Sequence, residues 1–205
     1  KNFGADLFVE PHQAAVDKDG NLWVADASSK GAKGLQITKL SPDGRVLFKL
    51  GKPGQGLGVD SLEVFDAPTG VAVLSNGDVF IAQGHGEKPN FSRILKFTKD
   101  GKFVARWGSE PSSQEGQFYY PRGLAVGPDD VVYVADSGNN RVQKFDLEGN
   151  VQKAWGKFGF AWRGADMGKF DVPWGLATDQ EGNVYVSDTS NARIQKFQSD
   201  GQPLL

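Results

Sequence analysis

The sequence predicts an all-β fold in which equivalent sheets of four antiparallel strands fan around a common axis, a β-propeller. Three observations predict it. One pattern recurs four times, opening at Pro11, Pro68, Pro121 and Pro173, a period of about 50 residues that belongs to repeat architectures. Each copy holds short runs rich in Val, Ile, Tyr and Phe, which suit a pleated, half-buried surface. The 27 glycines and 10 prolines fall at recurrent turns between those runs and not in a low-complexity tract.

The third copy justifies each element in turn. Gly123-Leu124-Ala125-Val126 is a short apolar strand, and Gly127-Pro128-Asp129-Asp130 is a turn. Val131-Val132-Tyr133-Val134-Ala135-Asp136 is β-branched and aromatic, hence a second strand. After the turn Ser137-Gly138-Asn139-Asn140, Arg141-Val142-Gln143-Lys144-Phe145 alternates polar and apolar residues, as a half-buried strand does. Leu147-Glu148-Gly149-Asn150 turns again, and Val151 to Gly156 is the fourth strand, with Val151 and Trp155 on one face. Such a sheet has two apolar faces that only neighbouring sheets can cover. The small residues Gly123, Ala125, Gly175 and Ala177 suit the crowded centre. Trp107 and Trp155 suit the wider gap between blades at the periphery.

The repeats divide the chain into blades at approximately 9–66, 67–119, 120–171 and 172–205, with 1–8 as the tail of a preceding outer strand. Two closures stay open: a small ring of four blades, or a segment of a larger propeller. An open array exposes apolar faces and strand edges, which favours self-association into a homo-oligomer.

Residues that recur are separated from residues that vary. Asp26, Asp136 and Asp188 end second strands, and Arg93, Arg141 and Arg193 begin third strands. In the third and fourth copies they flank one turn, which predicts Asp136–Arg141 and Asp188–Arg193 clamps. A catalytic group is needed once, whereas a clamp is needed in every unit. By contrast, the residues after the opening prolines are His12, Thr69, Arg122 and Trp174, chemically diverse at equivalent positions. They are expected to ring one mouth of the central channel and to form a binding surface there. His12 is also a candidate metal ligand. The inserted segments add loop contacts. Gly84–Asn90 carries His85, and Phe158–Phe170 carries Trp162 and Arg163, of residue types that dominate binding hot spots. Ser28–Gly34 is a third insertion, expected to lengthen the turn between the second and third strands.

Bulk properties exclude some classes. A formal charge of −2, with cations spread over every blade, makes nucleic acid an unlikely partner. No apolar run is long enough to cross a bilayer. With no cysteine there are neither disulfides nor thiolate metal sites.

The run Val-Tyr-Val-Ala-Asp-Ser-Gly-Asn-Asn-Arg-Val-Gln-Lys-Phe at 132–145 resembles the NHL repeat, and similar runs extend over nearly the whole chain. The resemblance implies a propeller, often of six blades, that binds proteins, RNA or other ligands. Pro11-His12-Gln13, Asp17 to Val24, Pro68 to Val73, Phe91 to Phe97 and Gly101 to Phe118 are in addition similar to the peptidyl-α-hydroxyglycine α-amidating lyases. That likeness implies zinc held by three histidines from Pro-His motifs, a structural calcium, and a secreted or periplasmic location. His12 matches the first motif. The second falls at Pro121-Arg122, and the third would lie beyond Leu205. The stretch Gln83-Gly84-His85 stands where that family places a catalytic tyrosine, and Ser137 stands where it places an arginine. Only His12 and His85 are histidines, so the chain cannot supply three. The leading expectation is therefore a non-catalytic binding scaffold that takes a protein, peptide or small ligand at the channel mouth. The alternative is a zinc-dependent amidating lyase or a degraded relative of one.

Overall fold

The computed structural model describes residues 4–54, 62–84, 91–156 and 166–204. Within them the chain is a four-bladed β-propeller. Blade 1 is β1 (Pro11–Val16), β2 (Leu22–Lys30), β3 (Lys33–Leu40) and β4 (Val46–Leu50). Blade 2 is β5 (Pro68–Val73), β6 (Val79–Gln83), β7 (Ser92–Phe97) and β8 (Phe103–Ser109). Blade 3 is β9 (Pro121–Val126), β10 (Val132–Asp136), β11 (Arg141–Phe145) and β12 (Val151–Gly156), and blade 4 is β13 (Pro173–Thr178), β14 (Val184–Asp188) and β15 (Arg193–Phe197). Each sheet is an antiparallel meander in sequence order. Among the described residues blade 4 has three strands, and Pro203 makes a single bridge to Phe197 where a fourth would begin. The inserted residues 28–34 also differ: they continue β2 and β3 outward as a longer hairpin, with Ser29 opposite Gly34 and Lys30 opposite Lys33.

Alternation along each strand builds the cores between blades. Val132 and Val134 pack with Ala72, Phe80 and Ile94 of blade 2, while Tyr133 on the opposite face packs with Val184 and Phe197 of blade 4. The tryptophans bridge blades as expected. Trp107 lies 4.7 Å from Phe80 and 5.2 Å from Phe145, and Trp155 lies 6.1 Å from Tyr133 and 5.9 Å from Phe197. The Trp107 indole rests on a glycine of the next blade: a Cβ on Gly149 would lie 2.2 Å from its Nε1. In blade 1 the equivalent residue is Leu50, and a cavity of about 550 Å³ remains there, walled by Phe48, Leu50, Phe65 and Phe97.

The axis is more tightly built than the rim. β1 lies against β5, β5 against β9, and β9 against β13. A Cβ at Gly70 would stand 2.3 Å from the Arg122 carbonyl oxygen, and one at Gly123 would stand 2.2 Å from that of Trp174, so no larger residue fits. Blade 1 carries Gln13 where the others carry Gly70, Gly123 and Gly175. Its side chain fills the centre. Nε2 donates to the Leu124 carbonyl at 2.7 Å, and Oε1 accepts from Leu124 N at 3.1 Å and Val71 N at 3.3 Å. One amide thus ties blade 1 to blades 2 and 3. Beyond it the four inner strands enclose a central cavity of about 230 Å³.

Not every blade face is covered among the described residues. Ile194 on the outer face of blade 4 is 64% exposed, whereas Val142, at the same register in blade 3, is fully buried. Among the described residues, no helix is long and apolar enough to cross a membrane.

Replacing Gln13 with Ala leaves two backbone N–H groups and one carbonyl at the axis without this partner. A loss of about 2–4 kcal/mol follows from about 1–3 kcal/mol per unsatisfied buried group, partly recovered by water. Urea unfolding followed by far-UV circular dichroism measures it, and an unchanged midpoint would show that the amide does not tie the blades.

Candidate functional site at the channel mouth

The mouth is assembled by the residues that immediately precede each inner strand, and their backbone is held in an unusual way. Ala67, Tyr120 and Val172, each directly before a blade-opening proline, adopt left-handed φ values of 44°, 51° and 54°. The proline ring and the side chain both disfavour this conformation, so it persists only because surrounding contacts enforce it. Those contacts come from the recurrent clamps. The Asp136 carboxylate accepts from Tyr119 N at 2.7 Å, Arg141 Nε at 2.7 Å, Asn139 Nδ2 at 2.8 Å and Gln143 Nε2 at 3.1 Å. Asp188 repeats the set with Asp171 N, Arg193 Nε, Asn191 Nδ2 and Gln195 Nε2. Arg141 then reaches the carbonyls of Ser113, Gln114 and Gln117. Both expected clamps are therefore present, and they hold the segments that lead into Pro121 and Pro173. In blade 1, Asp26 accepts from Val9 N and Glu10 N, and in blade 2 Gln83 takes the aspartate's place, receiving Arg93 Nε at 2.9 Å.

Three of the four expected mouth residues converge. The Arg122 guanidinium lies over the Trp174 indole, 3.7 Å from its centroid. The His12 ring stacks on the same indole at 5.4 Å with 21° between planes. Blades 1, 3 and 4 thus meet on Trp174, and a cation on an indole face contributes about 0.5–2 kcal/mol. Thr69 is placed differently. It is only 1% exposed, and its hydroxyl donates to the Pro121 carbonyl at 2.8 Å, so it ties blade 2 to blade 3 beneath the mouth. Ser137 makes the corresponding tie from blade 3 to blade 4 through the Pro173 carbonyl. His85, Trp162 and Arg163 lie outside the described residues.

Arg122 is the electrostatic anomaly of the site. It is partly exposed, yet its Nε and Nη1 are buried with no hydrogen-bond partner. Burial pushes its pKa down while the nearby Tyr120 pulls it up. An arginine remains charged through shifts of this kind.

Sequence reasoning did not single out Gln13 or Tyr120 as parts of this site. Gln13 carried a signal, since it alone replaces glycine at the innermost position. Tyr120 carried none, because its proximity to Arg122 depends on the left-handed turn.

The residues present do not fit a zinc centre of the three-histidine kind. The position of the second Pro-His is Arg122, a permanent cation with no lone pair to give. His12 presents its ring to Trp174, and no group of three histidine, aspartate or glutamate side chains lies together among the described residues.

Comparison with known proteins agrees with this architecture. Residues 118–145 and 170–197 match the NHL repeat. The chain is an NHL-repeat propeller. It is 40% identical over 152 residues to the peptidylglycine α-amidating monooxygenase of Rattus norvegicus, covering 71% of this chain and 14% of that protein. It is 36% identical over 149 residues to a probable peptidyl-α-hydroxyglycine α-amidating lyase of Caenorhabditis elegans, covering 70% and 39%. NHL repeat-containing protein 3 of Homo sapiens is 33% identical over 138 residues, covering 66% and 38%. The chain therefore spans well under half the length of these relatives. Among solved structures, a streptogramin B lyase superposes with a TM-score of 0.63 at 20% identity, over 93% of this chain and 52% of that one. A gluconolactonase from Xanthomonas campestris gives 0.63 at 19%, over 95% and 60%. At these identities the likeness is one of fold.

The clamp has a pH signature. Burial pushes the Asp136 carboxyl up to about 6, against the opposing pull of Arg141, Tyr119 N and Asn139. Between pH ~4 and ~6 the folded chain then retains a proton that the unfolded chain releases. This group's contribution is full below pH ~4 and is lost as pH rises through 6, on the order of 2–3 kcal/mol. Denaturant midpoints from pH 4 to 7 should show a smaller decline in Asp136→Asn than in wild type. Identical slopes would mean that the carboxylate stays ionised throughout.

Proposed function

We propose that this NHL propeller is a binding module whose ligand, a peptide or small molecule, docks at the channel mouth on Trp174, Arg122 and His12. The observation that carries this reading is the convergence of two chemically different side chains, from blades 1 and 3, on the indole of blade 4, at distances of 5.4 and 3.7 Å. A large aromatic surface beside a cation is the composition of binding hot spots. The clamps and inter-blade ties leave this mouth pre-formed, which lowers the entropy lost on binding.

A second reading, amidating-lyase chemistry or a remnant of it, is favoured by the names of relatives that align over about 70% of the chain. Arginine at the second Pro-His position weighs against it, because the donor set of the catalytic metal is then incomplete.

An immobilised array of random decapeptides separates the two. The binding reading predicts a subset of peptides whose retention falls at least about tenfold in Trp174→Ala, since a central aromatic anchor contributes about 2 kcal/mol or more. Retention indifferent to Trp174→Ala rejects the mouth as the site. Stoichiometric zinc in the purified protein, lost in His12→Ala, would displace binding by the lyase reading.

A further inference from the structure

Two clamp arginines, Arg141 and Arg193, show how the fold satisfies a guanidinium. Arg141 spends its guanidinium on Asp136 and on the carbonyls of Ser113, Gln114 and Gln117. Arg193 bonds Asp188 and the carbonyls of Asp166 and Lys169. Arg122 differs: Nε and Nη1 are sealed from solvent without a partner, and no carboxylate among the described residues is paired with it. A buried charge without a counter-charge is strongly unfavourable, and a buried donor without an acceptor adds to the cost. In a native protein such a group calls for an explanation, an ion or ligand among them. The charge of a guanidinium is delocalised over its plane. Arg122 is nonetheless partly exposed, so that charge can be balanced by a group that reaches the rest of the guanidinium.

We infer that Arg122 is the anchor for a carboxylate that enters the mouth, with the Trp174 indole packing against the apolar body to which that carboxylate is attached. This rests on the mouth being the binding site and adds the chemical class of the ligand. The charge at the site selects a carboxylate over a phosphate: the one positive charge of Arg122 over the Trp174 indole balances a monoanion, whereas a phosphate monoester brings close to two charges at neutral pH.

The test uses 3-phenylpropionate, its neutral isostere 3-phenylpropionamide, and phenyl phosphate as probes, followed by NMR on the Arg122 Nε–Hε resonance and by calorimetry. The expected result is a shift of that resonance with phenylpropionate, at least tenfold weaker binding of the amide, and at least tenfold loss in Arg122→Gln. Arg122→Lys, which keeps the charge and loses the fork, should fall between wild type and Arg122→Gln. Because wild type carries an uncompensated cation, Arg122→Gln should melt no lower than wild type, which keeps its binding defect interpretable. Equal binding of acid and amide, unchanged in Arg122→Gln but lost in Trp174→Ala, overturns the carboxylate and leaves the mouth standing. Tighter binding of phenyl phosphate than of phenylpropionate overturns the choice of anion. Absence of any phenylpropionate binding at millimolar concentration overturns the inference outright.

Discussion

Crowding at the axis is the constraint from which the rest of the molecule follows. With Gly70 and Gly123, the inner strands approach so closely that a single Cβ would strike the neighbouring blade's backbone. That approach fixes the angle between blades, and the angle sets what each gap must hold: small residues near the centre, a tryptophan at the periphery. At the position where the other blades carry glycine, blade 1 places the Gln13 side chain. A glutamine there has a physical logic. Its amide can donate and accept at once, so it satisfies the backbone groups of two other blades that the convergence of strands would otherwise leave bare.

The strain at the mouth is a consequence of the same geometry. To enter the axis, the chain must turn sharply just before each proline, and it does so in a left-handed conformation that a non-glycine residue resists. The Asp–Arg–Gln clamps oppose that resistance, fixing backbone N–H groups two residues before the prolines of blades 3 and 4. The Asp136 and Asp188 carboxylates are buried, and each accepts several hydrogen bonds within these networks. The Arg122 guanidinium at the mouth lacks such partners at Nε and Nη1.

That distinction explains how far the sequence could be read. Periodicity made the four blades visible in this chain, the antiparallel strands within them and the clamp partners legible, because each is stated several times over in the chain and any one copy can be checked against the others. The burial of Thr69 was not legible. Its hydroxyl meets the Pro121 carbonyl only because blades 2 and 3 close to a particular distance, and no pattern within one blade encodes a distance between blades. The extension of β2 and β3 into residues 28–34 was masked by Ser and Gly, whose turn preference is overridden by hairpin pairing. The stacking of His12 and Arg122 on Trp174 was legible as a neighbourhood but not as a geometry.

The substitution of arginine at the second Pro-His position alters the chemistry of the mouth while leaving its architecture intact. A histidine there would present a lone pair, and a set of them would gather a cation. An arginine presents N–H donors and a positive charge, and it repels a cation while attracting an anion. The same scaffold, with the same inner strands and the same strained turns, is thereby inverted in its electrostatic preference by one side chain. The indole of Trp174 strengthens that inversion, since its negative face stabilises the guanidinium at 3.7 Å while no carboxylate among the described residues pairs with it. A site that holds its cation by a π-face and not by an acid keeps the full charge available to a ligand. On this argument, the feature that weighs most against metal chemistry in this chain is also the one that equips it to recognise an acid.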